Sequence, residues 1–301
     1  MARADLSLTV DRELPTWLLI GTVYGGWVAL TLAFNHMPAP LGCALGALLI
    51  CLHGSVQHEI IHGHPSRNAR LNNLLAYPPL GLVYPYPIYR DSHLTHHRVK
   101  TLTDPVSDPE SYYFEEEVWN RMGSIKKSLF LFNNTLAGRL LLGPALCMIH
   151  FYHQQAKSLL QGDHRYLPVW LLHGLLCSLI FFWTAKVCAI PPLVYFFGIV
   201  YPGLALTLLR SFAEHKPGDN NNERSVIVEA ALPFRVLFLN NNYHWVHHDQ
   251  PSLPWYTLPS YYRERKESVL AANGGYLFKG YLDIARRYMF KAKDKPVLPR
   301  S

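Results

Sequence analysis

The stretch V-Q-H-E-I-I-H-G-H-P at positions 56–65 ends a long apolar run and carries two histidines four positions apart. On a helix, His58 and His62 lie on the same face, one turn apart, where two imidazoles can bind one metal ion. His53 and His64 point away from that face at about 100° per residue. We therefore expect His58 and His62, without these two neighbours, to face a metal site.

Two later stretches repeat this histidine pattern. His93 to His97 reads H-L-T-H-H, and His244 to His248 reads H-W-V-H-H. On a helix the three histidines of each stretch share one face, so that all of them can point into one cavity. A single zinc ion takes three or four protein ligands, whereas the three clusters supply eight histidines, which suits two metal ions. The candidate ligands are His58, His62, His93, His96, His97, His244, His247 and His248.

The 301 residues are half hydrophobic and 16% charged, but the charge is unevenly distributed. Four segments with almost no charge reach spanning length, since about 20 helical residues at about 1.5 Å each cross a hydrocarbon core of about 30 Å. Joined in pairs by short turns, they predict an all-α polytopic membrane protein with two transmembrane hairpins, in a single domain covering residues 1–301. The predicted spans are 16–34, 39–57, 167–185 and 191–209.

An even number of spans returns the chain to its starting side, so all three histidine clusters fall on one side of the membrane. The parts on that side, 58–166 and 210–301, are expected to form interfacial helices and a histidine-rich cap. Of the 28 basic residues, only Lys186 falls in a predicted outer turn. Because short translocated loops lack Lys and Arg, the histidine side is predicted to be cytoplasmic. The net charge is +7. The basic residues flank the apolar runs and form no dense stripe, which favours a membrane surface over a nucleic acid as partner.

Two interrupted apolar stretches are predicted not to span the membrane: 71–89 should lie at its surface, and 129–152 should form an interfacial or partly inserted helix. Residues 71–89 contain four prolines and four tyrosines and suit the level of the lipid headgroups. Residues 129–152 are apolar but broken by polar residues, and a full span there would put the third cluster on the wrong side. The tail from Tyr261 alternates basic and aromatic residues, which suits either a membrane-apposed helix or a surface for an acidic redox partner.

The histidines alone leave the metal and the chemistry open, because imidazole binds zinc, copper, iron and nickel. H-E-I-I-H is also the pattern of zinc proteases, in which the glutamate, here Glu59, acts as general base. A protease accounts for one cluster and leaves six histidines unexplained. A metal transporter is disfavoured as well, since its ligands lie within spans near the bilayer midplane, whereas these clusters lie at span ends and in loops.

The set HEIIH, HLTHH and HWVHH on two membrane hairpins resembles the membrane fatty acid desaturase superfamily, which also contains hydroxylases and carotenoid ketolases. The resemblance covers about 55–254, and R-S-F-A-E-H at 210–215 with N-N-N-Y-H at 240–244 is most similar to bacterial acyl-lipid desaturases. It implies a non-haem di-iron centre, with O2 as co-substrate, held by the eight histidines of the clusters. Family members often place a further histidine between the last span and the last cluster, and His215 matches that position.

The resemblance also implies the reaction and the partners. A double bond is expected to be introduced into a fatty acyl or similar lipid chain in a bacterial inner membrane, with a hydroxylase, ketolase or oxidative decarboxylase as the alternative. The sequence shows no H-P-G-G element of a fused cytochrome b5 domain, so electrons are expected from a separate ferredoxin or cytochrome b5 type protein. Ligand histidines need acceptors for their second ring nitrogen, and the candidates are Glu59, Asp91, Glu214 and Asp249.

Overall fold

The computed structural model describes residues 13–298. Its α-helices in chain order are α1 (Leu14–Ala33), α2 (Ala39–Ile61), α3 (Ala69–Ala76), α4 (Tyr86–His96), α5 (Glu116–Arg121), α6 (Ser124–Asn133), α7 (Leu136–Leu141), α8 (Gly143–Leu160), α9 (Leu167–Phe182), α10 (Tyr201–Ser211), α11 (Leu232–Leu237), α12 (His244–Asp249), α13 (Leu258–Ala272) and α14 (Tyr281–Tyr288). Three of these helices are extended by helical turns that are tighter or wider than those of an α-helix: a 3-10 turn, Phe34–His36, follows α1, and π-helical turns, Trp183–Val187 and Val194–Val200, follow α9 and precede α10. A short helical turn spans Asn221–Arg224, and β1 (Ile227–Val228) pairs in parallel with β2 (Leu277–Phe278).

Four helices in the described part of the chain are long and apolar enough to cross a membrane: Leu14–His36, Ala39–Ile61, Leu167–Val187 and Val194–Ser211. The prediction of a helical membrane protein with four spans is therefore confirmed, and the short β1–β2 pair is a small departure from an all-α chain. The span bounds differ from the predicted ones by a few residues.

The largest of these differences is at the end of α2. This helix continues to Ile61 rather than ending at position 57, because Val56, Ile60 and Ile61 are all buried. Its last turn is followed by Gly63, whose φ of 100° is accessible to glycine but strained for other residues. His58 therefore lies on the spanning helix itself, and His62 caps that helix.

Small residues bring α2 close to the fourth span. A Cβ atom built on Gly203 would lie 2.6 Å from the Ile50 Cβ, and one built on Gly46 would lie 2.8 Å from the Ile199 Cγ2. Neither position has room for a larger side chain, and such close backbone approach is how small residues stabilise helix packing in membranes. This contact fixes α2, and with it the first histidine cluster, against the span that leads to His215.

The proline-rich segment between α3 and α4 lies deeper than predicted. Its carbonyls accept hydrogen bonds from the spans: the Tyr195 hydroxyl donates to Leu80 over 2.8 Å, and the His173 Nε2 lies 2.9 Å from the Leu82 oxygen. A Cβ built on Gly81 would lie 3.7 Å from Ile50, which precedes His58 by about 12 Å of helix. The expectation of a headgroup-level position is thus corrected: span side chains satisfy these carbonyls, so irregular backbone can lie between the helices.

The apolar stretch 129–152 is divided among α6, α7 and α8, none of which is one of the four candidate spans. The last described segment of the chain runs beside the junction of α6 and α7. The Lys293 N–H donates to the Asn134 carbonyl over 2.9 Å, and the Ala137 N–H donates to the Met289 carbonyl over 3.0 Å. These contacts hold the C-terminal segment next to His215, whose carbonyl accepts a hydrogen bond from the Lys293 ammonium.

Candidate metal centre

Nine histidines converge in two groups within the described residues. In each group, the ring nitrogens that could bind a metal all lie within 4.8 Å of one another. The first group consists of His58, His62, His93, His97 and His247, and the second of His96, His215, His244 and His248. The structure therefore brings together all eight cluster histidines and His215.

Helical spacing explains how the two H-x-x-H-H clusters divide between the groups. On α4, His93 and the C-capping His97 are four positions apart and join the first group, while His96 joins the second. On α12 the division is reversed: His244 and His248 join the second group and His247 joins the first. Positions four apart lie nearly above one another, whereas the third position is displaced around the helix. Each helix consequently serves both groups.

The Nε2 atoms within each group face a common point. In the first group, the His93 Nε2 lies 3.1 Å from those of His62 and His97. In the second, the His215 Nε2 lies 3.2 Å from that of His96 and 3.0 Å from that of His244. The rings of His97 and His248 stack with centroids 4.3 Å apart and connect the two groups.

Two acids that the sequence did not suggest contact the opposite ring nitrogens. Glu110 lies 2.9 Å from the His93 Nδ1, and Asp108 lies 2.8 Å from the His96 Nδ1. A carboxylate only accepts hydrogen bonds, so each Nδ1 carries a proton, and in the neutral ring the Nε2 then presents a lone pair to the group. Asp108 also accepts from the backbone N–H of Thr103 over 2.8 Å, which holds its carboxylate in place.

Of the four acids predicted to support the ligands, Glu214 lies next to a candidate ligand, His244. Its Oε1 is 3.5 Å from the His244 Nδ1, and it forms an ion pair with Arg210 over 2.7 Å. Burial raises the pKa of Glu214, and Arg210 opposes that shift. The Asn241 Oδ1 lies closer to the same His244 nitrogen, at 3.1 Å, so an amide and a carboxylate share this role.

The contacts of the other three predicted acids lie elsewhere. Asp91 accepts from Arg90 and from the Tyr166 hydroxyl. Asp249 accepts from Gln250 and the Tyr261 hydroxyl. The Glu59 carboxylate accepts from the Trp255 backbone N–H over 2.8 Å and lies 3.9 Å from the His64 Nε2. His64 itself pairs with Glu13 over 2.6 Å, and neither His64 nor His53 belongs to either group.

The donor set fits bound metal ions. Burial, and then the neighbouring His93, lower the pKa of His62 to about 3 and that of His97 to about 2, so both rings are neutral at neutral pH. Burial disfavours the charged form of His96 too, but Glu110 and Asp108 raise its pKa. Neutral rings that point lone pairs at one another repel unless a cation lies between them. The buried His58 Nε2 has no hydrogen-bond partner in the structure, as expected for a metal-binding nitrogen.

Comparison with known proteins agrees with this geometry. The family model for fatty acid desaturases matches residues 34–280, a region that contains every histidine of both groups. A beta-carotene ketolase of Paracoccus sp. (strain PC1) is 25% identical over 217 residues, which cover 70% of this chain and 72% of that protein.

Proposed function

The chain belongs to the fatty acid desaturase family and is a membrane oxidoreductase, and we propose that it introduces a double bond into a fatty acyl or similar lipid chain, with O2 as co-substrate. The observation that carries the proposal is the convergence of nine histidines in two groups, the first of which includes His58 and His62 at the end of an apolar span. Two adjacent imidazole sites are what a pair of metal ions requires, and an apolar bundle suits a substrate whose chain enters from the lipid.

We assign one iron ion to each histidine group. When bound, the iron pair supplies the activation of O2 for oxidation of an unactivated C–H bond. The protein's own residues orient this site: Glu110 and Asp108 hold the Nδ1–H groups of His93 and His96, so that the Nε2 atoms face the metal. Their carboxylates, with Glu214, also offset the positive charge that two metal ions bring into a buried site.

The geometry does not support the zinc-protease alternative. In a protease, Glu59 would act as general base on a water bound beside His58 and His62. Its carboxylate instead accepts from the Trp255 N–H. The same two histidines also share their group with three others, more protein ligands than a catalytic zinc site takes.

An oxygen-inserting reaction is the second candidate, and the ketolase from Paracoccus favours it. Desaturation, hydroxylation, ketone formation and oxidative decarboxylation can all begin with oxidation of the same C–H bond. Their outcomes diverge with the position of the substrate relative to the metals, and small displacements decide such outcomes. We therefore place desaturation first because of the family and keep a ketolase as its rival.

We further propose that the protein resides in a bacterial inner membrane with its histidine groups on the cytoplasmic side. The scarcity of basic residues in the two outer turns supports this orientation: neither 37–38 nor 188–193 contains Lys or Arg, and Lys186 lies just before the second turn. Electrons would then come from a separate cytoplasmic carrier of the ferredoxin or cytochrome b5 type.

Lipid mass spectrometry of a host that expresses the gene tests the reaction. We expect a new lipid that lacks two hydrogens relative to its parent, and its absence in a His96→Ala variant. A product that has gained an oxygen would assign the rival reaction. The two proteins must be present in the membranes at equal levels. Identical lipids in the host with the wild-type protein and the host with the His96→Ala variant would then contradict an acyl-lipid substrate.

A further inference from the structure

A basic cavity lies on the C-terminal part of the protein, between β2, α14 and the last described segment. Its volume is about 270 Å³. Three cationic side chains, those of Lys216, Arg287 and Lys293, line it together with the rings of Tyr276 and Tyr288. The ammonium of Lys216 lies 4.5 Å from the centre of the Tyr276 ring, which holds this charge at the cavity wall.

The floor of this cavity touches the second histidine group. The Lys293 ammonium donates to the backbone carbonyl of His215 over 2.8 Å. The Nε2 of the same histidine lies 3.2 Å from that of His96. One residue therefore separates the cavity from the proposed metal site, which is a short path for an electron, whose transfer rate falls steeply with distance.

The rim of the cavity is strongly basic. Residues 275–298 contain six basic and two acidic residues. Both acids are paired with lining cations, Asp283 with Arg287 and Asp294 with Lys293. The remaining basic side chains are exposed, namely those of Lys279, Arg286, Lys291 and Lys295. Exposed apolar side chains, Leu282 at 69% and Phe290 at 84%, stand among them.

We propose that this C-terminal basic surface, defined as the cavity with the four exposed basic residues and Phe290, is the docking site of the electron donor, an acidic one-electron carrier protein. The inference rests on the proposed function and extends it. In each desaturation, one O2, two protons and two electrons from two carrier molecules combine with two hydrogens of the substrate to give two waters. Complementary charge raises the encounter rate of such partners, and a small apolar contact suffices for a transient complex.

Charge-reversal variants test this docking site. The double variant Arg286→Glu with Lys291→Glu changes two exposed positions that touch neither histidine group. Its control, Arg263→Glu with Arg265→Glu, changes two exposed residues of α13 and alters the net charge equally. The probes are a reduced ferredoxin and the reduced soluble domain of a cytochrome b5, each added to the full-length protein in detergent.

We expect at least one probe to bind the unaltered protein with an affinity that falls as salt is added. The Arg286→Glu and Lys291→Glu variant should weaken that binding by about tenfold or more, and the α13 control should leave it nearly unchanged. Carrier-driven turnover should fall in parallel, while turnover driven by dithionite stays constant.

Several outcomes would overturn the docking site: no salt-dependent binding of either carrier, equal losses in the two variants, or a loss confined to the binding of two further probes, phosphatidylglycerol vesicles and an acyl carrier protein. Failure of the proposed function is separate, because it would show as absent dithionite-driven turnover in a protein that still binds the carrier.

Discussion

Asp108 orients His96 within the second histidine group. It is buried, it accepts from the His96 Nδ1, and backbone N–H groups of Thr103 and Glu110 hold its two oxygens. Glu110 plays the same part for His93 from a less buried position. Carboxylates behind metal-binding imidazoles fix the tautomer and strengthen the ligand, so these two side chains would support the candidate site although they do not face it.

The substitution Asp108→Asn should weaken iron binding by about 10- to 100-fold, because an amide can turn its NH2 group toward the His96 Nδ1 and release the ring. Chelator competition on the purified protein measures this affinity. The matched control is Asp104→Asn in the same loop, whose carboxylate accepts from the Ser107 N–H and contacts neither group. Equal iron affinity in Asp108→Asn and wild type would show that Asp108 does not position the ring.

Spacing along the chain explains which site residues the sequence could predict. The eight cluster histidines follow from helical periodicity, and their convergence agrees with that pattern. Asp91 precedes His93 by two positions and so points to another side of α4, where it meets Tyr166. Asp108 and Glu110 reach the histidines only through the course of an irregular loop, which no periodic pattern describes. The D-P-V-S-D-P-E run beside the second cluster was the available signal.

At the scale of the elements, the close contact between α2 and the fourth span determines where the first cluster lies. Gly46 and Gly203 face the isoleucines of the opposite helix at distances that exclude a Cβ atom. A Cβ built on Gly174, in the third span, would have no atom of another helix within 4 Å. Glycines in spans therefore differ in role, and Gly46 and Gly203 at the α2 contact are expected to be intolerant of alanine.

The substitution Gly203→Ala should destabilise the protein by about 1–3 kcal/mol, since the added methyl overpacks against Ile50. Thermal unfolding in detergent, followed by tryptophan fluorescence, would show a lower midpoint and reduced iron retention. Gly174→Ala adds the same methyl to an exposed face and should change the midpoint little. A larger loss in Gly174→Ala than in Gly203→Ala would contradict this account of the packing.

The element that the sequence misplaced is the segment between α3 and α4. Its prolines and tyrosines are typical of a membrane interface, and the sequence offers no local sign of the donors that stabilise it at depth. Those donors, Tyr195 and His173, lie about a hundred positions later on the third and fourth spans. The spans themselves were predictable because hydropathy and length are local properties.

At the scale of the whole molecule, two hairpins bring the nine histidines of the two groups to one end of the bundle. The first cluster ends the second span, and His215 and the third cluster follow the fourth. Under the proposed function, this end would face the compartment that holds the electron carrier, so the proposed orientation and the proposed donor are coupled.

Cysteine labelling tests the proposed orientation. His36, in the predicted outer turn, and Glu264, on α13, are both exposed. In a background without native cysteines, His36→Cys should react with a membrane-impermeant maleimide in intact cells stripped of their outer membrane. Glu264→Cys should react only after the inner membrane is opened. The reverse pattern would place the histidine groups on the outer side.

The metal content of the purified protein tests the central claim most directly. Elemental analysis should find two iron ions per chain in the wild type and in a His36→Ala control. A His215→Ala variant, which removes a member of the second group, should retain close to one. Stoichiometric zinc, or iron content that is unaffected by His215→Ala, would contradict a di-iron centre formed by these two groups.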